Sequence, residues 1–162
     1  MQTRSGIEIQ NVYSDKNGPS ENPGEFPFTR GRSSQPNPSG NWIQRELSGE
    51  GDAKHSNAQI HYLLDHGQMG IDVIGDSPTQ AMMDPDHPIA EHSVGTQGVS
   101  LCCAEDYRQL FKDVPLARNS ISSSVPPLIA LAGLQITAKE ADFPIEKLRG
   151  SILQPPLYSE DC

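Results

Sequence analysis

The chain has 162 residues, 35% of them hydrophobic, and a formal net charge of −9 at neutral pH. Its length suits one domain, and its acidity opposes a general nucleic-acid binder, because phosphate backbones are held by basic faces. No apolar run nears the roughly 20 residues of a membrane span.

Residues 1–52 are rich in Gly, Pro, Asn and Ser with little periodicity, and they read as an extended arm. Inside it, "NPGEFPFTRGRSS" sets Phe26 and Phe28 around a proline and follows them with Arg30 and Arg32; Trp42 and Arg45 come later. Disordered segments are poor in aromatics, so the arm is expected to pack on something. Arg30, Arg32 and Arg45 form the densest arginine group in the chain, a local positive feature suited to an anionic small ligand. The bland alternative is a solvated loop with scattered charges.

From residue 53 the pattern alternates. "DAKHSNAQIHYLLDHG" predicts a helix with Asp52 as N-cap, Ile60, Leu63 and Leu64 at helical spacing and Gly67 as the stop. "MGIDVIGD" is short and β-branched, as a buried strand is. The turn-rich "SPTQAMMDPDHPIAEHSVGTQG" leads to a short apolar piece, "VSLC". "AEDYRQLFKDV" predicts a helix ended by Pro115, and "NSISSS" a strand. "VPPLIALAGLQITAKEAD" predicts a helix with prolines in its first turn, and "RGSIL" the start of another strand.

Strands alternating with helices imply parallel strands covered by helices. The expected fold is therefore α/β: a partial (β/α)8 barrel, roughly its first half, preceded by the extended arm. A complete barrel takes about 250 residues, and residues 53–162 supply only the first βα units. The final "LQPPLYSEDC" breaks off without a closing helix. A front piece of something larger, or a subunit that needs a partner, is the expectation.

The strand "NSISSS" is the most informative. Ser120, Ser122 and Ser124 share one face at period two, whereas barrel interiors are normally filled by bulky branched side chains. A face of small hydroxyls would leave an open, hydrogen-bonding bore, to which Asp72 and Ser151 could add polar groups. The alternative is an edge strand showing serines to water; the apolar helix that follows favours burial.

Other chemistries find little support. His61 and His66 are five apart, as are His87 and His92, which is not the spacing of a helical zinc pair. Asp84 and Asp86 beside His87 read as turn caps, and adjacent Cys102 and Cys103 are not the spaced pair of a thiolate site. No metal is expected. Serine hydrolases carry a G-x-S-x-G elbow, which is absent, as are a P-loop and a dinucleotide fingerprint. With an odd cysteine count and no basic flank leading into an apolar core at the start, a reducing, cytoplasmic setting is expected.

"PFTRG" at 27–31, then Trp42 and Arg45, closely resembles the arm of the methylmalonyl-CoA mutase family. The similarity continues through "HSNAQIHYLLDHGQMGIDVIGDSPTQ", "DPDHPIAEHSVGTQGV", "LFKDVPL" and "IEKLRGSI", covering nearly the whole chain from about residue 6. The resemblance implies the front of the substrate barrel of an adenosylcobalamin-dependent acyl-CoA mutase, a radical isomerase of carbon skeletons, with the CoA thioester threaded along a bore of small polar residues. Arg45 then matches a substrate-contact motif, and Leu47 lies where the family commonly places an aromatic bordering the acyl group. Ser120, Ser122 and Ser151 line the bore, and Arg30 and Arg32 are placed near CoA phosphates; no catalytic residue is assigned.

Adenosylcobalamin would be bound mainly by a domain or subunit absent from this chain, since "DHGQMG" has the wrong spacing for the family's D-x-H-x-x-G signature. The implied partners are the acyl-CoA substrate, that cobalamin-binding domain or subunit, and further copies in an oligomer; neither nucleic acid nor membrane is expected. Several positions depart from the family. "RSSQPNPSG" lacks the usual aromatic and threonine residues, Gln80 replaces a common histidine, and Leu153 and Gln154 both fit one glutamine position. These changes leave the acyl substrate open, with a non-catalytic barrel subunit or a CoA-thioester binding module as alternatives.

Overall fold

The computed structural model describes residues 2–10, 22–34 and 42–153. Two compact units divide between Trp42 and Ile43.

The first unit is a short arm. Its described centre is a tight loop in which the Gly24 N–H donates to the Gly31 carbonyl at 2.8 Å and the Phe28 N–H to the Glu25 carbonyl at 2.7 Å. Phe26 and Phe28 meet edge to face, with centroids 6.2 Å apart. Within this unit Phe26 is 86% exposed and Trp42 91%. Phe26 and Phe28 each find a partner in the other, which satisfies their edge-to-face preference. Residues 35–41, which hold most of "RSSQPNPSG", lie outside the described part.

The second unit is a parallel sheet of four strands in the order β1-β2-β3-β4. They are β1 (Arg45–Ser48), β2 (Gly70–Val73), β3 (Ser120–Ser123) and β4 (Gly150–Ile152). Helices α1 (Ala53–Asp65), α2 (Ser77–Gln80), α3 (Ala104–Leu110) and α4 (Pro127–Glu140) fill the connections, with a short 3-10 turn at Ile145–Lys147. Sequence order equals spatial order, and α3 packs on both α1 and α4. A sheet that grows by one strand at a time, with neighbouring helices side by side, is singly wound, as in a barrel; a doubly wound sheet reverses its strand order. The architecture is thus the expected partial (β/α) barrel.

Local chemistry explains most element ends. The Asp52 carboxylate accepts the His55 N–H at 2.7 Å and starts α1, which stops at His66 with Gly67 at φ +96°. The core lies on the helix side of the sheet, where Ile71, Val73 and Ile121 pack with Ile60, Leu110 and Val125, all at most 3% exposed. Asn57 on α1 donates its amide to the carbonyls of Leu110 and Lys112 at 2.9 and 3.0 Å, satisfying backbone acceptors that the end of α3 leaves open.

Three expectations need correction. β1 falls inside the stretch read as arm, because Arg45–Ser48 has no β-branched residue and becomes a strand only by pairing with β2. The short apolar piece "VSLC" is anchored through Val99, which bridges Gly51 and Gly75, its N–H bonded to the Ile74 carbonyl and its carbonyl to the Asp76 N–H. α3 ends at Leu110, well before Pro115, and Asp113 takes a positive φ of 59°. α4 is not buried all round. It turns Ala130, Gly133 and Thr137 inward and leaves Leu128 85% exposed. Its small residues face Tyr107, because a Cβ on Gly133 would overlap three carbons of that ring.

Candidate functional site

Because side chains alternate along a strand, the residues between the core positions share the face turned away from the helices. Register places them in two rows. Arg45, Gly70 and Ser120 form the first; Leu47, Asp72, Ser122 and Ser151 form the second.

In the first row the Arg45 side chain crosses β2 and donates from Nη2 to Ser120 Oγ at 2.6 Å. Its Nε is buried and has no hydrogen-bond partner. In the second row Ser122 and Ser151 share a hydrogen bond of 2.9 Å, and Ser122 is only 1% exposed. Asp72 adds a carboxylate whose Oδ1 is also buried and without a partner. Leu47, the one aliphatic side chain in the two rows, is 62% exposed at the β1 edge. Buried polar atoms without partners are uncommon in native structures and each calls for a reason. Here a donor and an acceptor, both unspent, lie on one face among hydroxyls.

The predicted residues divide accordingly. Arg45, Leu47, Ser120, Ser122 and Ser151 gather on this face. Ser124 lies past the strand end, where its N–H donates to the Val73 carbonyl at 2.8 Å. Arg30 and Arg32 belong to the other compact unit and are exposed. Gln80 bonds the Gly75 carbonyl at 2.7 Å; Gln154 and Cys162 lie outside the described residues.

Sequence reading missed the brace at the carboxyl end of β2. Asp76 is fully buried, with Oδ1 accepting the Thr79 N–H and Oδ2 the Gly95 N–H, each at 2.8 Å. Thr79 Oγ1 in turn accepts the Leu101 N–H at 2.9 Å. One carboxylate thus caps α2 and ties down the long segment that follows. The S/T/D–x–x–T spacing of "DSPT" announces the cap, but nothing in it announces Gly95.

The histidines serve backbone. His61 Nε2 lies 2.9 Å from the Lys112 carbonyl and His66 Nδ1 2.7 Å from that of Tyr62, while His87 Nδ1 accepts the Ile89 N–H at 3.2 Å. None of the five histidines is on a strand, so the inner face offers no imidazole to a cobalt ion. Its hydroxyls and carboxylate would hydrogen-bond a polar organic ligand and would supply no nitrogen donor to a metal cofactor.

Among the described residues, Cys102, Cys103 and Asp106 have ligand atoms within 4.8 Å of one another. Asp106 is engaged there by the N–H groups of Cys102 and Cys103 at 2.8 and 3.0 Å. Burial and the neighbouring Asp106 push the Cys102 thiol up to about 12, so it stays protonated. Through Asp106 the group caps the start of α3. Also among the described residues, no helix is long and apolar enough to cross a membrane.

A singly wound parallel βα sheet whose face away from the helices carries hydroxyls, an arginine and a carboxylate defines part of a βα barrel. The chain belongs to the methylmalonyl-CoA mutase family, whose pattern it matches over residues 2–159. It is 33% identical over 132 residues to the 2-hydroxyisobutanoyl-CoA mutase large subunit of Aquincola tertiaricarbonis, covering 80% of this chain and 24% of that one. To the mitochondrial methylmalonyl-CoA mutase of Homo sapiens it is 33% identical over 155 residues, covering 93% of this chain and 21% of the relative. To the ethylmalonyl-CoA mutase of Methylorubrum extorquens it is 37% identical over 114 residues, covering 68% and 16% respectively. The chain therefore spans no more than 24% of the length of these relatives.

Proposed function

We propose that the chain supplies the first βα units of an acyl-CoA-binding barrel in an adenosylcobalamin-dependent carbon-skeleton mutase. The observation that carries this reading is the inner face: Arg45 bonded to Ser120 and Ser122 bonded to Ser151, with no large aliphatic between them. A long, flexible thioester needs a passage lined by groups that hydrogen-bond without filling it, and serines provide that. In this reading Arg45 contacts the thioester, Ser120, Ser122 and Ser151 line its path, and Leu47 borders the acyl group. An aliphatic wall at Leu47 favours an acyl group other than methylmalonyl. Arg30 and Arg32, on the arm, meet CoA phosphates by charge-assisted hydrogen bonds.

The described residues bind and orient a thioester and offer no seat for the corrin, so a cobalamin-binding domain or subunit completes the enzyme, in a cytoplasmic oligomer. Sealing by that partner excludes water from the reacting centre; the cofactor supplies the hard chemistry.

The test combines calorimetry and turnover. The chain, mixed with a cobalamin-binding subunit, is titrated with free CoA, isobutyryl-CoA and methylmalonyl-CoA and assayed for isomerisation. Arg45→Ala should weaken thioester binding roughly 10- to 100-fold, the worth of a hydrogen bond to a charged group. Unchanged affinity removes Arg45 from the site. Binding without turnover supports a non-catalytic barrel subunit, and tight binding by the unmixed chain supports a binding module.

A further inference from the structure

We propose that Gly70 is the positioning residue for Arg45: its missing side chain is the slot through which the guanidinium crosses β2 to reach Ser120. The functional weight of the slot rests on the proposed thioester role of Arg45, but the slot itself does not.

Arg45 and Ser120 sit on strands two apart, with Gly70 between them in register. Strands are spaced about 4.8 Å, so the arginine must span roughly 10 Å of sheet and lie flat on the middle strand to do it. A Cβ at Gly70 would stand 2.8 Å from Arg45 Nε, 3.3 Å from Arg45 Cβ and 3.0 Å from Ile43 Cγ2. Real Cβ atoms essentially never approach as closely as the first of these. The arginine side chain would have to shift from its place across β2, and in this proposal that shift breaks its bond to Ser120.

Backbone geometry gives no other reason for a glycine here. Gly70 is not among the positive-φ glycines, and it opens a regular strand, where glycine weakens pairing and is found where another group approaches closely. The close group is the arginine. Pinned at Ser120, Arg45 keeps a buried Nε–H without a partner. An orphaned donor of that kind costs stability, which points to an orientation held for something other than the fold.

The experiment is a double-mutant cycle of Gly70 and Arg45 on the whole chain, with Ser120→Ala beside it, read first without any ligand. The Nε–Hε resonance of Arg45, assigned by its loss in Arg45→Ala, should exchange with solvent several-fold more slowly than those of exposed arginines. Gly70→Ala should bring it to the exposed rate, and Ser120→Ala, which removes the pin without adding bulk, should speed it too. Gly70→Ala should also lower Tm by a few degrees, and by less than half as much in an Arg45→Ala background.

Unchanged Hε protection in Gly70→Ala, or an equal loss of Tm in both backgrounds, overturns the proposal. Should Gly70→Ala fail to fold, a folded Gly70→Ala/Arg45→Ala double variant supports the slot and an unfolded one refutes it. In the assembly with a cobalamin-binding subunit, isobutyryl-CoA affinity should then fall about as far in Gly70→Ala as in Arg45→Ala. Lost protection with retained affinity upholds the slot and removes Arg45 from the thioester site, so the two readings fail separately.

Discussion

Replacing Gly133 by alanine sets two opposed effects against each other. In a helix interior the exchange gains about 1 kcal/mol, because glycine has more backbone freedom to lose. Here the added methyl would overlap Cγ, Cδ1 and Cε1 of Tyr107, a ring only 4% exposed between α3 and α4. Overpacking a filled core costs about 1–3 kcal/mol, and a clash with three atoms of a rigid ring belongs at the upper end, about 3 kcal/mol. The clash wins by about 2 kcal/mol, a fall in Tm of roughly 6–10 °C for a unit of this size. Urea and thermal unfolding of Gly133→Ala measure it directly. In a Tyr107→Leu background the same methyl should cost much less, since the overlapped ring is gone. A Gly133→Ala chain as stable as its parent would refute the close approach of the two helices.

Tyr107 supplies a second prediction. Its hydroxyl is buried without a partner, and burial holds the phenol well above its ordinary value. Tyr107→Phe should stabilise by about 1 kcal/mol in urea unfolding, by removing an unsatisfied polar group; a loss of that size would mean that the hydroxyl has a partner. The third concerns Asp106. Burial raises its carboxyl, but the N–H groups of Cys102 and Cys103 and the Cys102 thiol outweigh it and hold the group below its usual range. A depressed carboxylate contributes stability that is full above its unfolded value and is lost as pH falls through the lower folded one. Asp106→Asn should therefore lower Tm at pH 7 and flatten the acid limb below about pH 4, and a limb parallel to the parent's would dismiss the cap. The same variant should speed alkylation of Cys102 at pH 8, followed by peptide mass analysis, since Asp106 helps to hold that thiol protonated; an unchanged rate would count against the coupling.

How much was legible depended on the range of the forces involved. α1 could be read whole, because its cap, apolar spacing and glycine stop are all local. Of the serine face read from period two, Ser120 and Ser122 lie on β3, with Ser151 in register with Ser122, while Ser124 falls past the strand end. β1 was not, since Arg-Glu-Leu-Ser carries no strand preference and takes its state from β2, more than twenty positions on. The inward stripe of α4 was hidden by its uniform apolarity: only the position of Tyr107 decides which residues turn in, and they are the small ones. The Arg45–Ser120 bond joins positions 75 apart. Its existence follows from register, which no local pattern specifies, although an unexplained strand glycine was a visible clue.

Asp76 carries a consequence for traffic. A flap over the mouth of a barrel opens cheaply when water can replace every bond that it breaks. Swinging the Gly95 segment away would strip one partner from a carboxylate with 0% exposure and leave charge stranded in a dry place. The Gly95 stretch should therefore keep its place against the carboxyl end of β2.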